Sequence, residues 1–132
     1  MNIKLDLGYG QHDYTMKLGM YDNGLLAVYF ENIDNYEDDN YEDSPIISIN
    51  LGEFLSIPNA IYLDVELFSD DLGYKLEQAG LGKLTSLTKH SGYMAFPIFI
   101  FDEEILRKAD SKIYSKYIDN FEENSIKAII NL

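Results

Sequence analysis

The chain has 132 residues, of which 46% are hydrophobic, and this size and composition fit one folded domain. It contains no cysteine, which excludes disulfides, thiol catalysis and zinc–thiolate sites. Asp and Glu number 23 against 10 Lys and Arg, giving a formal net charge of −13. Phosphate neutralisation needs cations, so we expect no direct binding to nucleic acid. A basic protein is the expected partner, because complementary fields speed association.

The N-terminal residues lack the long apolar core of a signal peptide, and no apolar run approaches the roughly 18 residues of a membrane span. We therefore expect a soluble, cytoplasmic protein with no membrane partner. Residues 1–132 should form a single domain that carries one long acidic insertion at about residues 32–44.

Period-two patterns predict three N-terminal strands. Ile3–Leu7 and His12–Leu18 alternate apolar and polar residues, as half-buried strands do. Asn23-Gly24 predicts a type I′ hairpin turn, because both residues tolerate positive φ. Leu25–Glu31 is the returning strand, so the three strands should form a meander.

The acidic insertion separates Leu25–Glu31 from a predicted strand at Pro45–Leu51. Its central run, Asp34–Asp43, contains six carboxylates, two tyrosines and no basic residue. Connections between neighbouring strands are usually only about two to six residues long. The run is therefore interpreted either as a disordered acidic flap or as a presented surface.

The middle of the chain changes from a strand to a helix. Ala60–Val65 predicts a short buried strand, and Phe68–Gly80 has apolar residues at helical spacing. Ser69 or an adjacent aspartate is expected to cap this helix, and Gly80 with Gly82 should end it.

Two further strands are expected after this helix, at Leu84–Lys89 and Tyr93–Asp102. The second is the most apolar in the chain and should be central, but Pro97 lies within it. Because proline cannot donate to a sheet ladder, Pro97 requires a bulge or an edge.

The C-terminal part is predicted to be helical. A helix should begin at Asp102-Glu103-Glu104 and another should cover Ser111–Asn120, whereas Ile126–Leu132 fits strand or helix equally well. The element order predicts an α+β fold, with an antiparallel sheet of about five to six strands and two or three helices on one face or end.

No constellation for catalysis is evident. His12 is assigned to the polar face of its strand, and His90 precedes Ser91, but adjacent strand residues point to opposite faces. No Gly-x-Ser-x-Gly elbow and no glycine-rich phosphate loop is present. We expect a protein that is not an enzyme, with no catalytic residues and no cofactor.

The acidic run also lacks the spacing of a calcium loop. Counted from Asp34, the sixth position is Asp39 where an EF-hand needs glycine, and the twelfth is Pro45 where it needs glutamate. We therefore expect no dedicated metal site. Paired carboxylates could hydrolyse a sugar or a phosphate, but such pairs need a fixed or buried setting, and a solvated charge run is preferred.

The tyrosines favour recognition instead. The chain has 11 tyrosines and no tryptophan, and tyrosine is enriched at protein interfaces. Carboxylates and aromatic rings together can engage Arg and Lys, and an acidic surface can imitate a nucleic-acid backbone. The predicted partner-binding residues are Asp34, Tyr36, Glu37, Asp38, Asp39, Tyr41, Glu42 and Asp43.

Several short stretches, in this order, resemble an uncharacterised family of small domains carried on conjugative and phage-related elements of gut bacteria. They are Tyr21-Asp22-Asn23-Gly24-Leu25-Leu26-Ala27, Ile49-Asn50-Leu51, Ala60-Ile61-Tyr62-Leu63-Asp64, Gly80-Leu81-Gly82, Ser91-Gly92-Tyr93 and Phe96-Pro97-Ile98-Phe99-Ile100-Phe101-Asp102. The resemblance covers roughly Tyr21 to Leu106. The family pattern has Asp-Thr-Asn-Asn where this chain has Asp64-Val65-Glu66-Leu67, and it lacks the acidic insertion. The resemblance implies a mobile-element accessory protein and carries over no catalytic residue.

Together these observations predict a small acidic protein that binds and inhibits a basic, nucleic-acid-handling host defence protein. The concrete version is an anti-CRISPR protein that acts on a Cas nuclease, with nucleic-acid mimicry as the mechanism considered. Two alternatives stay open. One is an enzyme or divalent-metal site in Tyr62–Asp71 or His90–Tyr93. The other is a structural homo-oligomer, such as a homodimer, joined through Tyr93–Phe101 or another sheet edge.

Overall fold

The structure, a computed structural model, describes residues 2–8, 10–33 and 44–130, and they form two antiparallel sheets with three helices. The strands are β1 (Asn2–Asp6), β2 (Gln11–Met20), β3 (Leu26–Asn32), β4 (Ser48–Ile49), β5 (Ala60–Leu63), β6 (Gly82–Ser91) and β7 (Met94–Phe101). The helices are α1 (Leu72–Gln78), α2 (Glu103–Ala109) and α3 (Ser111–Ile130). The prediction of an α+β fold is confirmed, although the strands form two sheets rather than one.

The first sheet has the order β1-β2-β3, which is the predicted meander. Every second residue of its strands is buried, because period-two patterning places alternate side chains on the core face. His12 belongs to this buried set, with Tyr14 and Met16 on the same face. The assignment of His12 to the polar face was therefore wrong; it has the same parity as the apolar residues of β2.

The turn between β2 and β3 differs from the predicted type I′ turn. Gly24 donates its N–H to the carbonyl of Tyr21 at 2.8 Å, and Tyr21 donates to the carbonyl of Leu25 at 2.8 Å. Gly24 has φ 86°, but Asn23 does not have a positive φ, and type I′ needs two such residues. The bonding instead matches a three-residue loop, in which a left-handed glycine follows an ordinary turn.

The second sheet has the order β4-β5-β7-β6, so β7 is interior as predicted. A bulge in β6 between Leu84 and Thr88 lies next to Pro97. There the hydroxyl of Thr85 donates to the carbonyl of Ile98 at 2.7 Å, replacing a ladder bond. On its other side Pro97 lies beyond the last paired residue of β5, so its missing N–H costs no bond.

The strand expected at Pro45–Leu51 is reduced to a bridge and a two-residue strand. Ile46 pairs with Tyr29 of β3, and β4 covers only Ser48–Ile49. Ile47 also donates to the carbonyl of Val28 at 3.0 Å. These contacts join the two sheets at β3.

Helix α1 begins four residues later than the predicted start at Phe68. Phe68 donates to the carbonyl of Asp64 at 3.1 Å, so the chain turns before the helix starts. Asp71 is the N-cap residue but makes no side-chain cap bond, and Ser69 bonds to Asp71 rather than to the helix. The predicted side-chain cap was therefore wrong. The helix end is as predicted.

Gly80 and the residue after it close α1 with a Schellman motif. Gly80 has φ 80° and donates to the carbonyl of Glu77, while Leu81 donates to the carbonyl of Leu76. Leu81 is 1% exposed, so the motif also places an apolar side chain in the hydrophobic core.

Helices α2 and α3 pack against β2, and α1 packs against β6 and β1. The stretch from Ile126 to Ile130 is the last part of α3, which resolves the strand-or-helix ambiguity for those residues. Tyr114 and Tyr117 on α3 are buried in the core. No helix in the described ranges is long and apolar enough to cross a membrane.

Candidate functional site

The predicted partner-binding residues, from Asp34 to Asp43, lie outside the described residues, but the chain on both sides of them is described. On the first side, Ile33 donates to the carbonyl of Asp13 at 3.0 Å. On the second side, the carbonyl of Pro45 accepts from Phe30 at 3.0 Å. Ile33 and Pro45 are therefore held on neighbouring antiparallel segments, at the end of the sheet where β3 finishes.

A second acidic segment, Asp64–Asp71, lies beside this re-entry point. It contains four carboxylates and no basic residue. The N–H of Asp64 donates to the carbonyl of Ile47, two residues after Pro45, at 2.9 Å. Neighbouring strands are about 4.8 Å apart, so Asp64 lies next to the described segment that begins at Pro45. We use the name acidic end for the described acidic residues at this end of the sheet, which are Glu31, Asp64, Glu66, Asp70 and Asp71.

Internal hydrogen bonds hold the second segment in shape. The Oδ1 atom of Asp64 accepts from the N–H of Leu67 at 3.1 Å, while its carbonyl accepts from Phe68. The hydrogen bond from the Ser69 hydroxyl, with a smaller contribution from Lys75, lowers the pKa of Asp71. Because these bonds favour the ionised form, Asp71 stays negative well into the acidic range.

The other carboxylates of the acidic end are exposed to solvent. Glu66 and Asp70 are exposed, and no ion pair or side-chain hydrogen bond engages either of them within the described part of the chain. Glu31 forms an exposed ion pair with Lys17 at 4.0 Å, which contributes little to stability. These groups are available to bind an external cation-bearing surface.

Three exposed apolar side chains accompany the carboxylates. Ile33 is 45% exposed, Ile46 is 49% exposed and Leu67 is 62% exposed. Each is attached to one of the segments just described, and Ile46 lies opposite Tyr29 on the neighbouring strand. Exposed apolar side chains next to polar and charged groups are also found at protein-binding surfaces.

Sequence reasoning missed the second segment as part of the site. Asp70 and Asp71 were assigned to the start of a helix, although both precede it. The signal in the sequence was the cluster of four carboxylates within eight residues without a cation. Its position next to the first segment depends on the pairing of β4 with β5, which the sequence did not reveal.

The fold does not bring together the residues of the two alternative sites, Tyr62–Asp71 and His90–Tyr93. Tyr62 is buried, and burial raises its pKa, whereas Asp70 and Asp71 are exposed. His90 and Ser91 pair with successive residues of β7, so their side chains lie on opposite faces of the sheet. Within residues 2–8, 10–33 and 44–130, no group of three or more His, Asp or Glu could hold a metal ion.

A cavity of about 250 Å³ lies between β1 and α1, lined among others by Lys4, Asp6, Tyr74 and Lys75. Asp6 is its one carboxylate, and the Oδ1 atom of that group accepts from the N–H of Gly8 at 2.8 Å. The cavity therefore offers no pair of carboxylates for acid–base chemistry.

The geometry defines a small α+β fold with an acidic end. Residues 15–124 match a family model described as Domain of unknown function (DUF4313). The chain therefore belongs to the DUF4313 family, and the match contains the whole stretch from Tyr21 to Leu106 on which the resemblance rests. No curated protein and no solved structure matches the chain.

Proposed function

We propose that the protein uses its acidic end and the run Asp34–Asp43 to bind and block a basic protein that handles nucleic acid. The concrete form is a mobile-element inhibitor of host defence, an anti-CRISPR protein that acts on a Cas nuclease. The observation that supports this most directly is the hydrogen bond from Asp64 to Ile47, because it holds the carboxylate-rich segment Asp64–Asp71 beside the described segment that follows Asp34–Asp43 in the sequence.

The charge of this end supports a cationic partner. The two segments, residues 34–43 and 64–71, hold ten of the 23 acidic residues and none of the ten basic residues. Duplex DNA carries about one negative charge per 1.7 Å of axis, and proteins that bind it present Lys and Arg in a matching groove. An acidic protein surface of this density competes for the same groove.

The exposed apolar side chains supply what charge alone does not. Charged contacts mainly raise the association rate, whereas buried apolar anchors slow dissociation. Ile33, Ile46 and Leu67 stand beside the carboxylates and become such anchors when the partner covers them. The complex should therefore weaken with added salt without dissociating completely.

The experiment compares purified, guide-loaded Cas nucleases with and without the protein in a DNA-cleavage assay at several salt concentrations. One variant neutralises the acidic run through Glu37→Gln, Asp38→Asn, Asp39→Asn, Glu42→Gln and Asp43→Asn. A second variant neutralises the described segment through Glu66→Gln and Asp70→Asn. Both should fold normally and inhibit less than the native chain, and the first should lose most of the salt dependence.

A matched control removes five exposed carboxylates elsewhere. Its substitutions are Asp22→Asn, Asp102→Asn, Glu104→Gln, Asp119→Asn and Glu122→Gln. This control has the same net charge as the first variant and should inhibit as well as the native chain. If all variants inhibit equally, or the control loses as much as the first variant, the acidic end is not the binding site.

A further inference from the structure

The free edge of β6 is a second interaction surface, separate from the acidic end. Strand β6 has one neighbour, β7, so one row of its backbone groups has no strand to pair with in the described sheet. The homo-oligomer alternative named Tyr93–Phe101 or another sheet edge. Strand β7 is enclosed between β5 and β6, so Tyr93–Phe101 is not an edge, and β6 is the edge on this side of the sheet.

The hairpin turn identifies which groups point outward. Ser91 and Met94 close a two-residue loop in which Gly92 has φ 62°, and such a loop is flanked by a hydrogen-bonded pair. Hydrogen-bonded and non-bonded pairs alternate along an antiparallel ladder. His90 and Thr88 therefore occupy non-bonded positions, and their N–H and C=O groups face away from β7.

The position of Pro97 agrees with this alternation of hydrogen-bonded and non-bonded pairs. It lies opposite Thr88, where no ladder bond to β6 is required of it. Phe101, with the same parity as Pro97, donates to the carbonyl of Asn59 and so faces the β5 side. The pairing of β7 with β5 and its pairing with β6 therefore both indicate that the N–H groups of Thr88 and His90 face the open edge of β6.

Only the second half of β6 is open. The carboxylate of Glu77 accepts from the N–H of Leu84 at 2.9 Å and so occupies the first half of the edge. The bulge between Leu84 and Thr88 then interrupts the strand. The stretch from Thr88 to Ser91 remains, flanked by the apolar side chains of Leu87, 51% exposed, and Tyr93, 106% exposed.

The charge around this edge favours a second copy of the acidic chain as its partner. Between Gln78 and Phe101 the sequence has no Asp or Glu, although the chain as a whole has 23. The same stretch contains Lys83, Lys89 and His90, with Lys89 paired to Glu53. The nearest carboxylates are engaged, Glu53 by Lys89 and Glu77 by the N–H of Leu84, so an identical chain of net charge −13 meets less unpaired negative charge here than around the acidic end.

We propose that two copies of this chain associate through antiparallel pairing of their β6 edges at Thr88–Ser91. The pairing continues the four-stranded sheet across a two-fold axis, because an antiparallel edge is complementary to itself. The open edge is short, so the dimer is weak and forms at high protein concentration. The outward N–H groups of Thr88 and His90 become hydrogen-bonded in the dimer.

Sedimentation velocity and light scattering of the full chain, over a wide concentration range, test this. We expect a reversible monomer–dimer equilibrium that strengthens as NaCl rises from about 0.1 to 0.5 M, because salt screens repulsion between the two acidic bodies. Binding of a basic partner at the acidic end should weaken as salt rises, whereas self-association through β6 should strengthen. The salt dependence therefore distinguishes failure of one proposal from failure of the other.

Thr88→Pro is the decisive variant. It removes an outward N–H without removing a β6–β7 ladder bond, and it should raise the dimer Kd at least about tenfold. Lys4→Pro on β1, the edge of the other sheet, is the matched control and should leave the Kd unchanged. A chain that stays monomeric at millimolar concentration overturns the proposal, as does a dimer that Lys4→Pro weakens and Thr88→Pro does not.

A measurement on the unmodified chain covers the case in which Thr88→Pro does not fold. Amide hydrogen exchange at Thr88 and His90 should slow as concentration rises, while exchange at Asn2 and Lys4 stays constant. Exchange at Thr88 and His90 that is independent of concentration, in a sample that dimerises, assigns the contact to another surface and refutes the pairing.

Discussion

The hydroxyl of Tyr117 accepts a hydrogen bond from the backbone N–H of Asn59 at 3.0 Å, 58 residues away in sequence. Asn59 is the one described non-glycine residue with a positive φ, 66°. Its side-chain oxygen accepts a second bond, from the hydroxyl of Tyr114 at 2.6 Å. Two tyrosines of α3 therefore hold the unusual backbone that leads into β5.

Replacing Tyr117 with Phe should destabilise the fold by about 1–2 kcal/mol. The substitution keeps the packing of the ring against Phe121 but leaves the Asn59 N–H without its acceptor. Urea unfolding followed by circular dichroism measures the change. Tyr74→Phe is the control, because Tyr74 is 61% exposed, and it should change stability very little. Equal effects of the two substitutions would contradict the role given to the Asn59 bond.

Stability should fall as the solution becomes alkaline. Burial raises the pKa of Tyr117 and the pKa of Tyr114 above the ordinary value of 10.0. Below about pH 10 both the folded and unfolded chains keep these phenols neutral, so the contribution is fully present. Above it the unfolded chain ionises first, and stability is lost as pH rises through the raised pKa.

Unfolding free energies of the native chain and Tyr117→Phe, measured between about pH 8 and pH 11, check this. The native chain should lose stability more steeply with pH than the variant, because only the native chain has the raised phenol at position 117. Parallel slopes would show that burial of Tyr117 does not control the alkaline behaviour.

Gly82→Ala should be among the most damaging small substitutions. A Cβ atom at Gly82 would lie 2.8 Å from Cα of Phe101 and still closer to the carbonyl oxygen of Ile100, and backbone atoms cannot move aside as side chains do. We expect a loss of about 3 kcal/mol or failure to fold. Gly19→Ala is the matched control, since its Cβ would meet only the Ala27 side chain at an ordinary 3.6 Å. Thermal unfolding of both variants gives the comparison.

Glu77→Ala should enlarge the open edge of β6. The substitution removes the acceptor that occupies the Leu84 N–H, and Glu77 itself is exposed, so the stability cost should stay within about 0.5 kcal/mol. Sedimentation velocity should then show stronger self-association than in the native chain. Glu77→Gln keeps an acceptor oxygen and should behave like the native chain; an Ala variant that associates no more strongly would count against the blocking role.

Local patterns predicted the elements better than they predicted how the elements meet. The alternation in β1 and β2 and the glycine at position 80 gave correct elements, because backbone geometry alone requires them. Pro97 indicated a bulge or an edge, and its missing N–H faces the side of β7 where the pairing with β5 has already ended. Helix α1 was predicted too long because Asp64 captures the backbone of Phe68, a local bond that competes with the helix.

The site was predicted only in part for a related reason. A run of six carboxylates is visible in any sequence, but the neighbouring segment at Asp64–Asp71 becomes part of the same end through strand pairing. Pairing between Ser48 and Leu63 depends on long-range register, which composition does not encode. The outward row of β6 was hidden in the same way, because its direction follows from the turn and from Pro97 together.

The bonds from Ile33 to Asp13 and from Phe30 to Pro45 have a consequence for engineering and for divergence within the family. They fix the two ends of the intervening chain independently of its content, so that chain can be shortened, lengthened or exchanged while the sheet keeps its register. A foreign recognition peptide grafted between Ile33 and Pro45 should inherit a ready-made scaffold. Chains in which the segment between Ile33 and Pro45 has another length or composition should keep the same sheet register.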